Sequence, residues 1–172
     1  KSLLVEDIRG KSGVDVAVGF ASALAQAGRK VLLIEADLRH PKLASDLGAN
    51  PEKTLRSLLD GSCTLEQAVV PVLQQPGLWL LAGASAGGEN PADLLAQGFG
   101  NLIQESEPLY DHVIVCAPPT AEYPDADSLV PTVQGVLVSV EYGVTTYREL
   151  RRALDGVKEC GGKKIGFSLI GV

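Results

Sequence analysis

Short apolar runs alternate with stretches of helical spacing along the whole chain. Ser2–Val5, Val31–Glu35, Leu78–Ala82, His112–Cys116, Gly135–Val140 and Ile165–Val172 are dense in Val, Ile and Leu, with little polar alternation. That pattern predicts strands buried on both faces. Between the first two lies Val14–Ala27, an apolar run of small residues that ends at Gly28, a natural helix stop. Ala17, Ala21, Ala23, Ala25 and Ala27 would let this helix sit close on a sheet. Leu55–Asp60, Leu65–Val70, Pro91–Gln97, Leu102–Glu107, Asp125–Pro131 and Thr145–Cys160 read as further helices. In the last, Tyr147, Leu150, Leu154 and Val157 share one face at spacings of three and four. Asn90 is placed to cap the helix that Pro91 opens.

Strands alternating with helices imply an α/β fold, with a mostly parallel central sheet, right-handed crossovers and helices on both faces. Gly83–Gly88 reads as a loop, and there is no internal repeat or linker. A single domain over residues 1–172 is expected, and that length suffices for a full core.

Composition narrows the function. Apolar residues make up 45% and charged residues 21%, as in a globular chain. A net charge of −6 argues against an extended nucleic-acid or anionic-membrane surface. The basic pairs Arg29-Lys30, Arg151-Arg152 and Lys163-Lys164 read as solvated element ends. No run reaches the roughly 20 apolar residues of a membrane span, and no signal peptide precedes the first strand. The chain starts without methionine, so it reads as a fragment, and a membrane segment could lie outside it. Cys63, Cys116 and Cys160 lack metal-site spacing and read as reduced cytosolic thiols.

Five separated motifs, in order, carry a resemblance. They are Val31–Pro41 (VLLIEADLRHP), Leu55–Val69 (LRSLLDGSCTLEQAV), Asn90–Ala96 (NPADLLA), Tyr110–Pro119 (YDHVIVCAPP) and Gly143–Arg152 (GVTTYRELRR). Together they resemble the cytoplasmic ATPase domain of bacterial tyrosine kinases. These are the kinases of capsular and exopolysaccharide co-polymerases, P-loop proteins related to the MinD/ParA ATPases. The resemblance implies a P-loop fold and a nucleotide site at the first loop, the acidic motif and the Walker B strand.

The same resemblance exposes four departures, all at the nucleotide. Counting back from Ala27-Gly28, Gly10–Asp15 falls on the phosphate loop. Gly13 then stands at the lysine position and Val14 at the magnesium-binding hydroxyl position; neither can replace what it stands for. Glu35 stands where the family carries the first aspartate of its acidic motif, and Asp37 is retained. A longer Glu35 disturbs a magnesium site; alternatively Glu35 and Asp37 simply end a strand at a polar cleft, with Arg39 as partner. Cys116 replaces the Walker B aspartate, and a thiol is a poor magnesium ligand. It reads as a small buried hydrophobe, since His112, the nearest candidate base, lies roughly 13 Å away along the strand. Ile170 stands near an asparagine that the resemblance assigns to adenine, and its side chain has no donor or acceptor.

Ser12 followed by Asp15 resembles a capping box, so the helix's anion site is expected to be filled from within the chain. A competing phosphate loop starts at Gly10, with Lys11 and Ser12 as phosphate contacts. It would need a glycine at Val5 and two extra residues before the helix end.

The leading expectation is a non-catalytic relative of the polysaccharide tyrosine kinases, with no catalytic residues, metal or cofactor. It would be a cytoplasmic regulatory or scaffolding domain at the inner face of the bacterial inner membrane. Its partner would be a co-polymerase membrane protein, a catalytic paralogue or a second copy, and not nucleic acid. The alternative is an active tyrosine kinase or ATPase using ATP and Mg through Lys11 and Ser12, with Asp37 and Glu35. The resemblance also implies a tyrosine-rich tail, which the sequence to Val172 does not contain; Tyr110, Tyr123, Tyr142 and Tyr147 are scattered and read as structural. A MinD/ParA-like positioning factor fits less well, since the chain is acidic and shows no amphipathic tail.

Overall fold

The structure is a computed structural model that describes residues 1–9, 12–85 and 87–171. Seven strands form one sheet: β1 (Ser2–Asp7), β2 (Val31–Glu35), β3 (Val69–Pro71), β4 (Leu78–Leu81), β5 (His112–Cys116), β6 (Gly135–Glu141) and β7 (Lys164–Ile170). Their order is β3-β4-β2-β5-β1-β6-β7. Every pair is parallel except β3 with β4. The helices are α1 (Gly13–Gln26), α2 (Leu43–Asp46), α3 (Leu55–Leu59), α4 (Leu65–Ala68), α5 (Pro91–Ser106) and α6 (Tyr147–Glu159).

Strand residues alternate between two cores, which explains the unbroken apolar runs. Leu4, Leu32, Ile34, Val113 and Val115 pack with Leu95, Phe99 and Leu102 of α5. Val5, Val31, Leu33, Ile114 and Cys116 pack with Ala17, Ala21 and Ala25 of α1. Only these three alanines, spaced by four, are buried; Ala23 and Ala27 face solvent.

The structure corrects several sequence expectations. α4 stops at Ala68, and the chain turns into β3, which pairs antiparallel at the sheet edge. Gly98 and Gly100 do not divide α5, which runs unbroken from Pro91 to Ser106. A Cβ at Gly98 would lie 2.9 Å from Leu59 Cδ2, so this glycine lets α3 approach. Asn90 does cap α5, its side chain accepting the Ala92 N–H. Asp125–Pro131 forms two 3-10 turns, Pro124–Ser128 and Val130–Thr132, each opened near a proline that has no N–H to give. Tyr147 leaves the apolar face of α6 and is 75% exposed, so its predicted structural role fails, as does that of Tyr142 at 65%. Tyr110 is buried edge-on to Trp79, beneath Lys30.

Candidate functional site

β1 is two residues longer than the apolar pattern suggests, and the extra residues are Glu6 and Asp7. Strand alternation sends them to opposite faces of the sheet. Asp7, with Val5, faces α1; Glu6, with Leu4 and Ile8, faces the other core.

Asp7 lies at the α1 N-terminus. Its Oδ2 accepts the N–H of Ser12 at 3.0 Å and of Gly13 at 2.7 Å, and its Oδ1 accepts that of Arg9 at 3.1 Å. Asp7 and Ser12 are both buried, so the bonds to the Ser12 and Gly13 N–H groups lie away from water, and the one to Gly13 is short. The helix end that would cradle a phosphate therefore holds the chain's own carboxylate. The expectation of internal filling named the wrong residue. The Ser12 side chain makes no cap bond among the described residues and instead meets Ser139 Oγ at 2.8 Å. Asp15 is exposed in the first turn. A charged residue ending an apolar strand just before the loop was the available signal for Asp7.

Gly13 and Asp7 fit each other sterically. A Cβ at position 13 would fall 2.5 Å from Asp7 Cβ and 3.1 Å from its Oδ2. Val14 lines the adjoining cavity of about 310 Å³, which also touches Glu35, Asp37, Lys42 and Cys116. Gly10 and Lys11 lie outside the described residues.

Glu35, only 2% exposed, is a hub of backbone bonds. Its Oε1 accepts the N–H groups of Lys42 at 2.7 Å and Leu43 at 2.8 Å, and its Oε2 that of Gly83 at 2.9 Å. The longer side chain thus caps α2 and ties down the loop after β4. Burial pushes its carboxyl up, against these three N–H donors, which pull it down. Asp37 accepts the N–H groups of Arg39 and His40, both at 2.9 Å, within its own turn. The Arg39 side chain pairs with neither Glu35 nor Asp37; it meets Asp37 only through its backbone N–H. Its guanidinium forks onto buried Asp125 at 2.7 and 2.9 Å and lies over the Tyr123 ring at 4.3 Å. The sequence offered no sign of this pair, 86 residues apart.

Cys116 pairs in register with Val5 and Glu35 and is 1% exposed. Burial first, then the Glu35, Asp37 and Asp7 charges, push its thiol up to about 12. Such a thiol stays protonated at neutral pH and makes a poor nucleophile, in keeping with its place in the core. Iodoacetamide is expected to label half-buried Cys63 and Cys160 well before Cys116, read by peptide mass spectrometry; early labelling of Cys116 contradicts this burial. Ile170 ends β7 opposite Glu141, and its carbonyl accepts the Tyr142 N–H at 2.8 Å. Among the described residues, no three His, Cys, Asp or Glu side chains are placed to share a metal ion.

On the other face, Glu6 is 3% exposed, and its Oε2 has no hydrogen-bond partner among the described residues. Burial, then the Asp127 charge, push its carboxyl up to about 7 from an ordinary 4.5. The folded chain holds this proton more tightly than the unfolded one. Its stabilising contribution is therefore complete below pH 4.5 and is lost as pH rises through about 7. Glu6→Gln is expected to flatten that slope and add up to about 3 kcal/mol at about pH 8, by urea midpoints across the range. Identical profiles in both proteins contradict it.

Comparison with known proteins places the fold. The Acinetobacter johnsonii tyrosine-protein kinase ptk is 32% identical over 156 residues, covering 90% of this chain and 21% of that protein. The Rhizobium meliloti succinoglycan biosynthesis transport protein ExoP is 32% identical over 157 residues, covering 90% and 20%. The Bacillus subtilis tyrosine-protein kinase YwqD is 30% identical over 158 residues, covering 91% and 66%. The kinase domain of the Escherichia coli tyrosine kinase ETK superposes with a TM-score of 0.93 at 25% identity, covering 99% of this chain and 67% of that one. This chain belongs to the bacterial tyrosine kinase family.

The wider MinD/ParA-like fold is the same. MinD of Pyrococcus horikoshii, solved with Mg-ADP, matches at a TM-score of 0.81 and 22% identity, covering 98% of this chain and 70% of that one. Within the family, the chain spans about a fifth of the length of the first two relatives and 66% of the third. It matches no protein-family model. Among the described residues, no helix is long and apolar enough to cross a membrane.

Proposed function

We propose that this domain is a non-catalytic member of the bacterial tyrosine kinase family, acting as a regulatory or scaffolding unit in exopolysaccharide or capsule production. The observation that carries this reading is the Asp7 carboxylate on the N–H groups of Ser12 and Gly13. A polyphosphate arriving there meets a fixed negative charge, not free donors, and no ammonium or hydroxyl at positions 13 and 14 to offset it. Glu35 is committed to three backbone bonds, and Cys116 offers no hard oxygen to magnesium. Among the described residues, those at the site do not fit ATP and magnesium, so no phosphoryl-transfer step is assigned. Function then resides on the surface, through a co-polymerase membrane protein, a catalytic paralogue or a second copy, at the cytoplasmic side of the membrane. The relatives' names, a succinoglycan transport protein and tyrosine-protein kinases, support that setting.

Thermal unfolding with Mg-ATP tests the reading. A site filled at a hundredfold excess over its Kd adds about 2.7 kcal/mol, which on a domain of this size is several degrees. No shift is expected up to millimolar Mg-ATP. An upward shift abolished by Lys11→Ala would instead establish a working kinase or ATPase that grips phosphate through Lys11 and Ser12.

A further inference from the structure

A second concavity, of about 1110 Å³, lies between α6 and the 120–127 segment, on the face of the sheet opposite Asp7. Glu6 and Asp127 lie on one side of it. α6 covers it poorly: Ala153 and Gly156 line it, and a Cβ at Gly156 would meet nothing within 4 Å. A buried carboxylate oxygen without a donor costs free energy unless something arrives to satisfy it. Asp127 stands close enough to repel the Glu6 charge, so the two together favour a positive guest.

The rest of the lining agrees. Carboxylates outnumber arginines six to three. Of those arginines, Arg151 lies 3.8 Å from Asp155 on its own helix. Glu149, also in the lining, is already held by Arg9 at 2.6 Å.

We propose that this groove is a binding site for a protonated nitrogen, an ammonium or guanidinium on a flexible chain, with the Glu6 carboxylate as its anchor. The guest's N–H groups would bond the buried, unpartnered Oε2, its charge would offset both Glu6 and Asp127, and its chain would fill the hollow above Gly156. Two sources carry this chemistry, a free polyamine and a basic side chain on a protein segment. The site lies on the face away from Asp7, so it stands independently of whether the domain binds nucleotide.

NMR of the chain with ¹³C-labelled glutamate carboxyls tests it, with spermidine and a short arginine-containing peptide as separate probes. Either guest is expected to favour ionised Glu6 at least about tenfold, lowering its pKa by about one unit. The amide signals of Ala153 and Gly156 should move with it, and the response should vanish in Glu6→Gln. Should Glu6→Gln not fold, the wild-type carboxyl titration still decides the matter. A response to spermidine alone assigns the site to a polyamine, and a response to the peptide alone assigns it to a protein segment. The proposal is overturned if neither probe moves Glu6, or if the same shifts persist in Glu6→Gln. It is also overturned if Glu6 already titrates at or below 4.5 and rises on Arg152→Ala, since the chain's own arginine then fills the site.

Discussion

Gly13→Lys alone is expected to weaken the fold and to leave Mg-ATP binding undetectable. It restores the residue that the family resemblance calls for at this position, yet the space is taken. A Cβ there would lie 2.5 Å from Asp7 Cβ, closer than side-chain carbons approach. Either the end of β1 or the start of α1 must shift, and forcing atoms into a packed site costs about 1–3 kcal/mol. The shift also strains the Asp7 bonds to Ser12 and Gly13. Asp7→Gly removes that Cβ and so relieves the clash, but it frees buried N–H groups, at about 1–3 kcal/mol by itself. The two changes should therefore be non-additive, with a coupling of about 1–3 kcal/mol favouring the double variant, measured by urea unfolding of all four proteins. Only a chain that also carries Val14→Ser has the ammonium, the hydroxyl and the vacated anion site together, and only there should Mg-ATP raise the Tm. Were Gly13→Lys by itself as stable as the parent and stabilised by Mg-ATP, the mutual fit of Asp7 and Gly13 would be refuted.

Arg39→Ala is expected to be the most damaging single substitution outside the hydrophobic cores. Asp125 is 1% exposed, and the guanidinium fork at 2.7 and 2.9 Å is what satisfies its carboxylate. Removing one partner of a buried pair typically costs about 3–5 kcal/mol, because the other charge stays buried and uncompensated. Arg39 is itself 28% exposed, so water can reach the gap, and the expected loss is the lower figure, about 3 kcal/mol. Arg39→Lys should recover only part of it, because an ammonium can neither fork onto both oxygens nor stack as a plane on Tyr123. A double variant with Asp125→Asn should lose less than Arg39→Ala, since no charge is then stranded. Urea midpoints at neutral pH decide this; an Arg39→Ala loss under about 1 kcal/mol would mark the pair as an ordinary surface bridge.

Pattern alone made most of the architecture legible. Val31–Ile34 of β2 and Val113–Cys116 of β5 are apolar at every position, and Asn90-Pro91 announced the start of α5. Periodicity misled where a residue's conduct depends on a distant neighbour. Gly98 looked like a break, but Leu59 packs where a side chain would be, and the helix continues. Val69 and Val70 looked like the end of a helix, but Leu80 and Leu81 offered strand partners. Tyr147 kept helical spacing, yet nothing in the fold comes near enough to cover it.

The candidate site divides in the same way. Residue chemistry along the chain was enough to establish the alternating α/β sheet and the absence of lysine, hydroxyl and hard-oxygen groups at positions 13, 14 and 116, because those properties belong to the residues themselves. Only the tertiary structure decided that Asp7 occupies the helix end, that Arg39 answers to Asp125 and that Glu6 Oε2 lies without a hydrogen-bond partner near a hollow in α6. Such pairings depend on which strand ends and loops the sheet brings together, and a carboxylate's role is set by the donors within about 3 Å of it, wherever they lie in the chain.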